Sequence, residues 1–373
     1  MKLVRTFHPV GHGAFYTERF YQNDPQTETP LFTAVFDCGC YEKGKKGWSK
    51  NRFQQRIEHY ANNVFIQGET IDALFISHFH TDHINGLDHL IARCNIKKIF
   101  IPIMTPEVIL EAYLYSFITT GRRSNVVTRT IERFQNDEEL KRKIVTINED
   151  IGPEEIEIPI NDINNTFSSG GRISCTFPWY YIPFNRKQNK LSQLLQIEPL
   201  LRSALTTTGD VDINALTTIV KSKNAAYWKR VYKQIWKSKH NAYSMTVYST
   251  NLQSILGQCE WNGTMFVNRY DLQNCLYLGD YEAKGIASFK ALKHCYNSYW
   301  NNISLLQVPH HGSKDNYNAG LYNKPRACII SAGATDVYGH PHNSTITGIQ
   351  ACHCLPILVT EQTYTKQVIQ YDI

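Results

Sequence analysis

The chain has 373 residues, 42% of them hydrophobic and 19% charged, with a formal charge of +6. That length supports one large α/β domain, and the composition excludes collagen-like, disordered and disulfide-scaffold classes. The modest positive balance permits an anionic substrate without requiring one. No apolar run approaches the roughly 20 residues that span a bilayer, and "MKLVRTFHPVGHG" lacks the apolar core of a signal peptide. A cytoplasmic protein without membrane attachment is expected, and its ten scattered cysteines are read as reduced thiols. The two Cys-x-Cys pairs, Cys38/Cys40 and Cys352/Cys354, adjoin strand-like runs and lack the spacing of a zinc knot.

In chain order, "KLVRTFHPV" and "LFTAVFDCG" read as strands, with a tight turn at Gly11 and Gly13. A helix is expected around Asn51 to Asn63, then the strand "IDALFIS", a helix in "GLDHLIARC" and the strand "KKIFIPI". This alternation is the pattern of a layered α/β fold, in which ligands collect at the C-terminal ends of strands. From about 105 to 239 the pattern changes. Helices are expected at Pro106 to Ile118 and Val126 to Lys143, then β structure in "RISCTFPWYYIPF" and a polar, helix-leaning run from Asn185 to Lys239. This stretch reads as an insertion covering the site.

The insertion ends in "NAAYWKRVYKQIWKSKH", where Trp228, Tyr232 and Trp236 interleave with Lys229, Arg230, Lys233, Lys237 and Lys239. Such alternation suits either a groove for nucleic acid or an amphipathic helix whose Trp228, Val231, Ile235 stripe packs on the body. Of the two, packing is the reading favoured. Strands and helices then alternate again: "AYSMTVYST", "NCLYLGD", a helix near Ala283 to Leu292, "ISLLQVPHH", "ACIISAG", a helix near Ser344 to Ala351, and "PILVTEQ".

Chemistry concentrates in "ISHFHTDHINGLDHL". Alternate side chains of an extended segment point the same way, so His78 and His80 can share one metal ion. Asp82 and His83, at the turn into the helix starting near Gly86, are directed toward a second. Imidazoles with a carboxylate suit two divalent ions, Zn²⁺ best, with Mn²⁺ or Fe²⁺ tolerated.

The order His78-x-His80-x-Asp82-His83-x-x-Gly86 resembles the signature of the metallo-β-lactamase superfamily. The resemblance implies a four-layer αββα fold with a helical insertion, formed as a single domain over 1–373. It also implies that Asp37 in "VFDCG" is a supporting aspartate, that Asp280 in "LYLGD" bridges two metals, and that His340 is the last histidine ligand. "VPHHGSKDN" and the later "YGHP", with "VGHGAF" and "NAYSMTVYS", resemble the hydrolase domain of ComEC-like competence proteins and their soluble relatives. Many superfamily members supply one more histidine before the bridging aspartate. His240 is the candidate by position, but it also reads as the end of a basic helix and is left out of the ligand set. That set is His78, His80, Asp82, His83, Asp280 and His340.

Asp82 is expected to orient the nucleophile as well as bind metal. His310 and His311 are the remaining catalytic candidates, as ligand, general acid or oxyanion contact. The implied function is a metal-dependent hydrolase using a hydroxide activated by two metals, with phosphodiesterase or nuclease activity preferred. A lactone, thioester or β-lactam is the alternative substrate, roofed by Trp179, Tyr180 and Tyr181, and a metal-binding regulatory subunit is the alternative from outside the enzymes. The expected partner is a phosphodiester substrate, with nucleic acid among the options.

Overall fold

The computed structural model describes residues 1–41, 50–120, 125–152, 156–186, 189–236, 243–252, 259–266, 272–323, 325–335 and 338–373. Among them, two mixed sheets stack face to face. The first runs, edge to edge, Thr264–Phe266, Cys259–Trp261, Gln367–Asp372, Lys2–Phe7, Gly13–Tyr21, Phe32–Cys40, Thr70–Phe75, Asn95–Pro102, Ile144–Ile151 and Thr166–Ser169. The second runs Leu355–Val359, Ala327–Ser331, Leu305–Gln307, Cys275–Tyr277, Thr246–Thr250, Tyr180–Phe184, Arg172–Ser174 and Glu157–Pro159.

Strand alternation builds three cores. Ala73 and Phe75 point between the sheets, where they meet Met245, Val247 and Tyr277, while Leu74 points outward against the helices Lys50–Val64 and Leu87–Arg93. On the far side Tyr248, Leu276 and Leu306 pack against Leu292 and Cys295 of Ile286–Cys295 and against Ile349 of Asn343–Ala351. Helix, sheet, sheet, helix is the four-layer αββα order expected. The inter-sheet core also holds a buried ion pair, Arg5 Nε to Glu18 Oε1 at 2.7 Å. Glu18 accepts further hydrogen bonds from Tyr181, Ser249 and Tyr277, which is how a carboxylate is tolerated there.

Within each sheet the site-bearing strands are parallel: Phe32–Cys40, Thr70–Phe75 and Asn95–Pro102 in the first, Cys275–Tyr277, Leu305–Gln307 and Ala327–Ser331 in the second. Their C-terminal ends face one edge of the sandwich. The dipoles and open backbone at such ends favour a binding site there.

The stretch 105–239 differs from a simple helical insertion. Its helices Pro106–Thr120, Asn125–Asn136, Ile213–Lys221 and Ala225–Trp236 pack into the first outer core. Residues 144–184, however, supply strands to both sheets. The expected helix Val126 to Lys143 is two helices, because Asp137 accepts from the backbone N–H groups of Glu139 and Leu140 and starts a second one, Glu138–Lys143. The helix expected near Gly86 is Leu87–Arg93, with Gly86 as its N-cap, and it is preceded by a separate single turn, Thr81–Ile84. The strands Gly13–Tyr21, Ile144–Ile151 and Gln367–Asp372 were not anticipated. No described helix is long and apolar enough to cross a membrane.

Candidate metal centre

The strand Thr70–Phe75 delivers Ser77 and His78, and the turn Thr81–Ile84 delivers Asp82 and His83. Asp280 follows Cys275–Tyr277, and His310 and His311 follow Leu305–Gln307. Among the described residues, two sets of potential ligand atoms lie within 4.8 Å of one another: His78, His80 and Asp280, and Asp82, His83, Asp280 and His311. Asp280 belongs to both. Its Oδ2 is 3.6 Å from His78 Nε2, while its Oδ1 is 3.2 Å from His83 Nε2 and 3.7 Å from His311 Nε2. Asp82 Oδ2 lies 3.2 Å from His311 Nε2. Donors about 2.1 Å from one tetrahedral ion stand about 3.4 Å apart, so these separations fit the gaps between ligands of one cation.

Ring orientation makes the same point. Asp37 Oδ2 accepts from Ser77 Oγ at 2.7 Å and from His83 Nδ1 at 2.8 Å, and Asp37 Oδ1 accepts from Ser77 N. With its proton directed to Asp37, Ser77 Oγ accepts from His78 Nδ1 at 3.0 Å. His311 Nδ1 donates to the Ser331 carbonyl at 2.8 Å. In His78, His83 and His311 the Nδ1 side is thus held by the protein and Nε2 faces inward, the orientation a metal ligand requires. Nε2 of His78, His80 and His83 is buried without a hydrogen-bond partner. Such orphaned lone pairs are costly unless a cation meets them. The residues present therefore fit a divalent metal, which no rigid hydrogen-bond network replaces.

Electrostatics agrees. Burial and the neighbouring His83 and His80 hold His78 well below its ordinary pKa, so it is neutral. Burial also opposes charge on Asp280, yet His310, His83 and His311 keep its carboxyl well below the usual range. For Asp82, burial is outweighed in the same way by His83 and His311. His83 and His311 are held above the ordinary histidine value despite burial, His83 by Asp280, Asp37 and Asp82, and His311 by Asp280 and Asp82. These are the carboxylate fields a cation would occupy.

His310 and His311 share a left-handed turn, φ 48° and 56°, closed by Gly312. Strain at two consecutive non-glycine residues marks a functional turn. It sends the rings apart: His311 joins the ligand atoms, while His310 Nδ1 donates to Asn316 Oδ1 at 2.8 Å and leaves Nε2 3.8 Å from Asp280. Asn316 is fixed by donating to the Asp280 and Tyr281 carbonyls. His340 lines the cleft with its ring 5.5 Å from that of His310, outside both converging sets. His240, Lys237 and Lys239 lie outside the described residues.

The centre opens into a cleft of about 550 Å³. His12, Asp82, Asp280 and His310 line one side, and Tyr115, Lys229, Tyr232 and Lys233 of the helical cover line another. The aromatic residues of Ala225–Trp236 are not a stacking platform: Trp228, Tyr232 and Trp236 are buried, with Trp228 Nε1 donating to the Val220 carbonyl. The helix reaches the cleft through Lys229, Lys233 and the buried Tyr232. Trp179 and Tyr181 are fully buried between the sheets and do not roof the site, since strand alternation turns them inward.

Two residues beside the centre escaped the sequence reading, and of these His12 lines the cleft. His12 lies against His311 with centroids 3.9 Å apart and planes tilted by 38°, and has Nε2 3.6 Å from Asp82; its signal was a histidine between two turn glycines. Glu111 stands 3.6 Å from His80 Nε2. Glu107 and Glu111, four apart in the apolar run "PEVILEAYLYSF", were the signal for it.

Residues 29–152, one third of the chain, match the family model described as Metallo-beta-lactamase superfamily. No curated protein matches the chain. A solved structure titled "Crystal structure of unliganded yeast PDE1" is similar over 99% of this chain and 99% of its own, at 11% identity and a TM-score of 0.42. Likeness at that level bears on neither activity nor substrate. The matched stretch, by contrast, carries the strands, the loop and the turn that hold His78, His80, Asp82 and His83, and the αββα architecture built around them is the fold of the Metallo-beta-lactamase superfamily.

Proposed function

We propose that the protein is a divalent-metal-dependent hydrolase of phosphodiesters, with a small phosphodiester as the preferred substrate. The observation that carries this reading is Asp280, a carboxylate common to two sets of inward-facing ligand atoms. His78, His80 and Asp280 would hold one ion, and Asp82, His83, Asp280 and His311 the other, with Zn²⁺ or Mn²⁺ as the expected metal. Such ions neutralise phosphate charge and lower the pKa of water from ~15.7 toward ~7.

The chain's own residues supply the rest. Lys229 and Lys233, one turn apart on one helix, draw an anion into the cleft. His310, pinned through Nδ1, presents Nε2 to the cleft, where it can accept a proton and return it to the leaving oxygen. His12 and His340 line the cleft on the same side as His310, across from the lysines. A cleft of about 550 Å³ suits a nucleotide-sized ligand. The buried aromatic residues argue against a long single-strand groove, and the buried Trp179 and Tyr181 remove the apolar roof on which a lactone or β-lactam reading relied. The "HHGS" turn and "YGHP" stretch support a position in the ComEC-like branch.

The test is metal-loaded protein assayed against an aryl phosphodiester, cyclic nucleotides, DNA, RNA, a lactone, a thioester and a β-lactam. Chelator-sensitive cleavage of the small phosphodiesters is expected. Turnover of a carbonyl substrate with no phosphodiester cleaved would overturn the reading. Lys229→Gln with Lys233→Gln should raise KM for anionic substrates and flatten its salt dependence.

A further inference from the structure

Glu111 is a buried carboxylate that neither sheet supplies. It sits on the cover helix Pro106–Thr120, in an otherwise apolar stretch, with 5% of its side chain exposed. Oε1 accepts a hydrogen bond from Tyr232 Oη of the neighbouring cover helix. Oε2 faces His80 Nε2 at 3.6 Å. That is too long for a hydrogen bond, and His80 Nε2 has no hydrogen-bond partner. It is close to the ~3.4 Å between two donors on one tetrahedral ion, and it equals the His78 Nε2 to Asp280 Oδ2 separation beside it.

The same helix braces His80 from its face. One turn beyond Glu111, the Tyr115 ring stacks on the His80 ring with centroids 4.0 Å apart and planes 14° from parallel. Among the described residues, the basic group within ion-pair reach of Glu111 is His80 alone. A carboxylate buried without Lys or Arg calls for a cation or several donors, and Tyr232 satisfies one oxygen.

We infer that Glu111, which stands beside His80 but outside the atoms of His78, His80 and Asp280 that converge within 4.8 Å of one another, closes as a further ligand on the cation those three would hold, oriented by Tyr232. The inference rests on the metal-centre reading above. It makes the two half-sites equivalent in number of protein ligands, with the fourth of one coming from the helical cover rather than from a strand end. The wall carrying Lys229 and Lys233 is thereby tied, through Tyr232 on the same helix, to the cation.

The experiment titrates metal-stripped full-length protein with Zn²⁺ against a chromophoric chelator and records the visible spectrum of the Co²⁺ form. Wild type should take up two ions. Glu111→Gln, nearly isosteric and still able to accept from Tyr232, should weaken one of them by at least about 100-fold, the upper end of the loss when an outer partner of a ligand is removed. It should leave the other ion at wild-type affinity and alter the Co²⁺ band of the weakened site. Tyr232→Phe should weaken the same ion by about 10-fold. Two ions bound at wild-type affinity, with an unchanged Co²⁺ spectrum, by a folded Glu111→Gln protein would overturn the inference while leaving the metal centre standing. A wild-type protein that binds no divalent metal would instead overturn the metal-centre reading itself, and Glu111's role with it.

Discussion

Asp37→Asn isolates what the supporting aspartate contributes. Asp37 has φ 54°, in the left-handed region that Asn tolerates as well as Asp, so the backbone has no new reason to move. The carboxylate accepts from Ser77 N at 2.7 Å, Ser77 Oγ at 2.7 Å and His83 Nδ1 at 2.8 Å. An amide oxygen can keep the backbone bond, but the NH₂ that replaces Oδ2 cannot accept from Ser77 Oγ or His83. Two hydrogen bonds to a buried charged group are lost, each worth roughly 1.5–3 kcal/mol. The expected destabilisation of the metal-free protein is therefore about 3–6 kcal/mol, measured by urea unfolding of both proteins in chelator. With its Nδ1 proton no longer held, His83 loses its fixed orientation, and the ion at Asp82, His83, Asp280 and His311 should bind about 10–100-fold more weakly. Unfolding within about 1 kcal/mol of wild type, together with unchanged metal affinity, would refute the claim that Asp37 orients the centre.

Asp280→Asn should weaken both ions, whereas Asp82→Asn should weaken one, read by metal content after dialysis against chelator. Glu18→Ala strands the buried Arg5 and should cost about 3–5 kcal/mol in the same unfolding assay; a neutral result would mean that the inter-sheet network is solvated. His8, which bonds Thr17 and stacks on Phe15, has its pKa pushed down to about 3 by burial, with Arg19 and Lys366 adding to the shift. The unfolded chain then binds a proton that the folded chain refuses between about pH 6.5 and 3. Stability present above pH 6.5 is lost as pH falls through that window, by up to ~1.4 kcal/mol per unit. His8→Gln should flatten that fall, and equal pH profiles for the two proteins would remove His8 as its source.

Local pattern was enough to read the layered α/β class and the cluster from His78 to His83, because both are short-range: period-two burial marks a strand, and four potential ligands within six positions need no tertiary context. What the fold alone decided is the meeting of distant parts. Asp280 stands between two ligand sets because parallel strands of two separate sheets end at one edge. His310 and His311 took different tasks because a left-handed turn sends consecutive rings apart, which no spacing rule anticipates. Glu111 and the lysines reach the centre through helix-on-helix packing, and Trp228 and Tyr181, which composition would allow to touch a ligand, are turned into the core. Side-chain direction at long range depends on which faces the layers bury, and that is settled only when the layers close on one another.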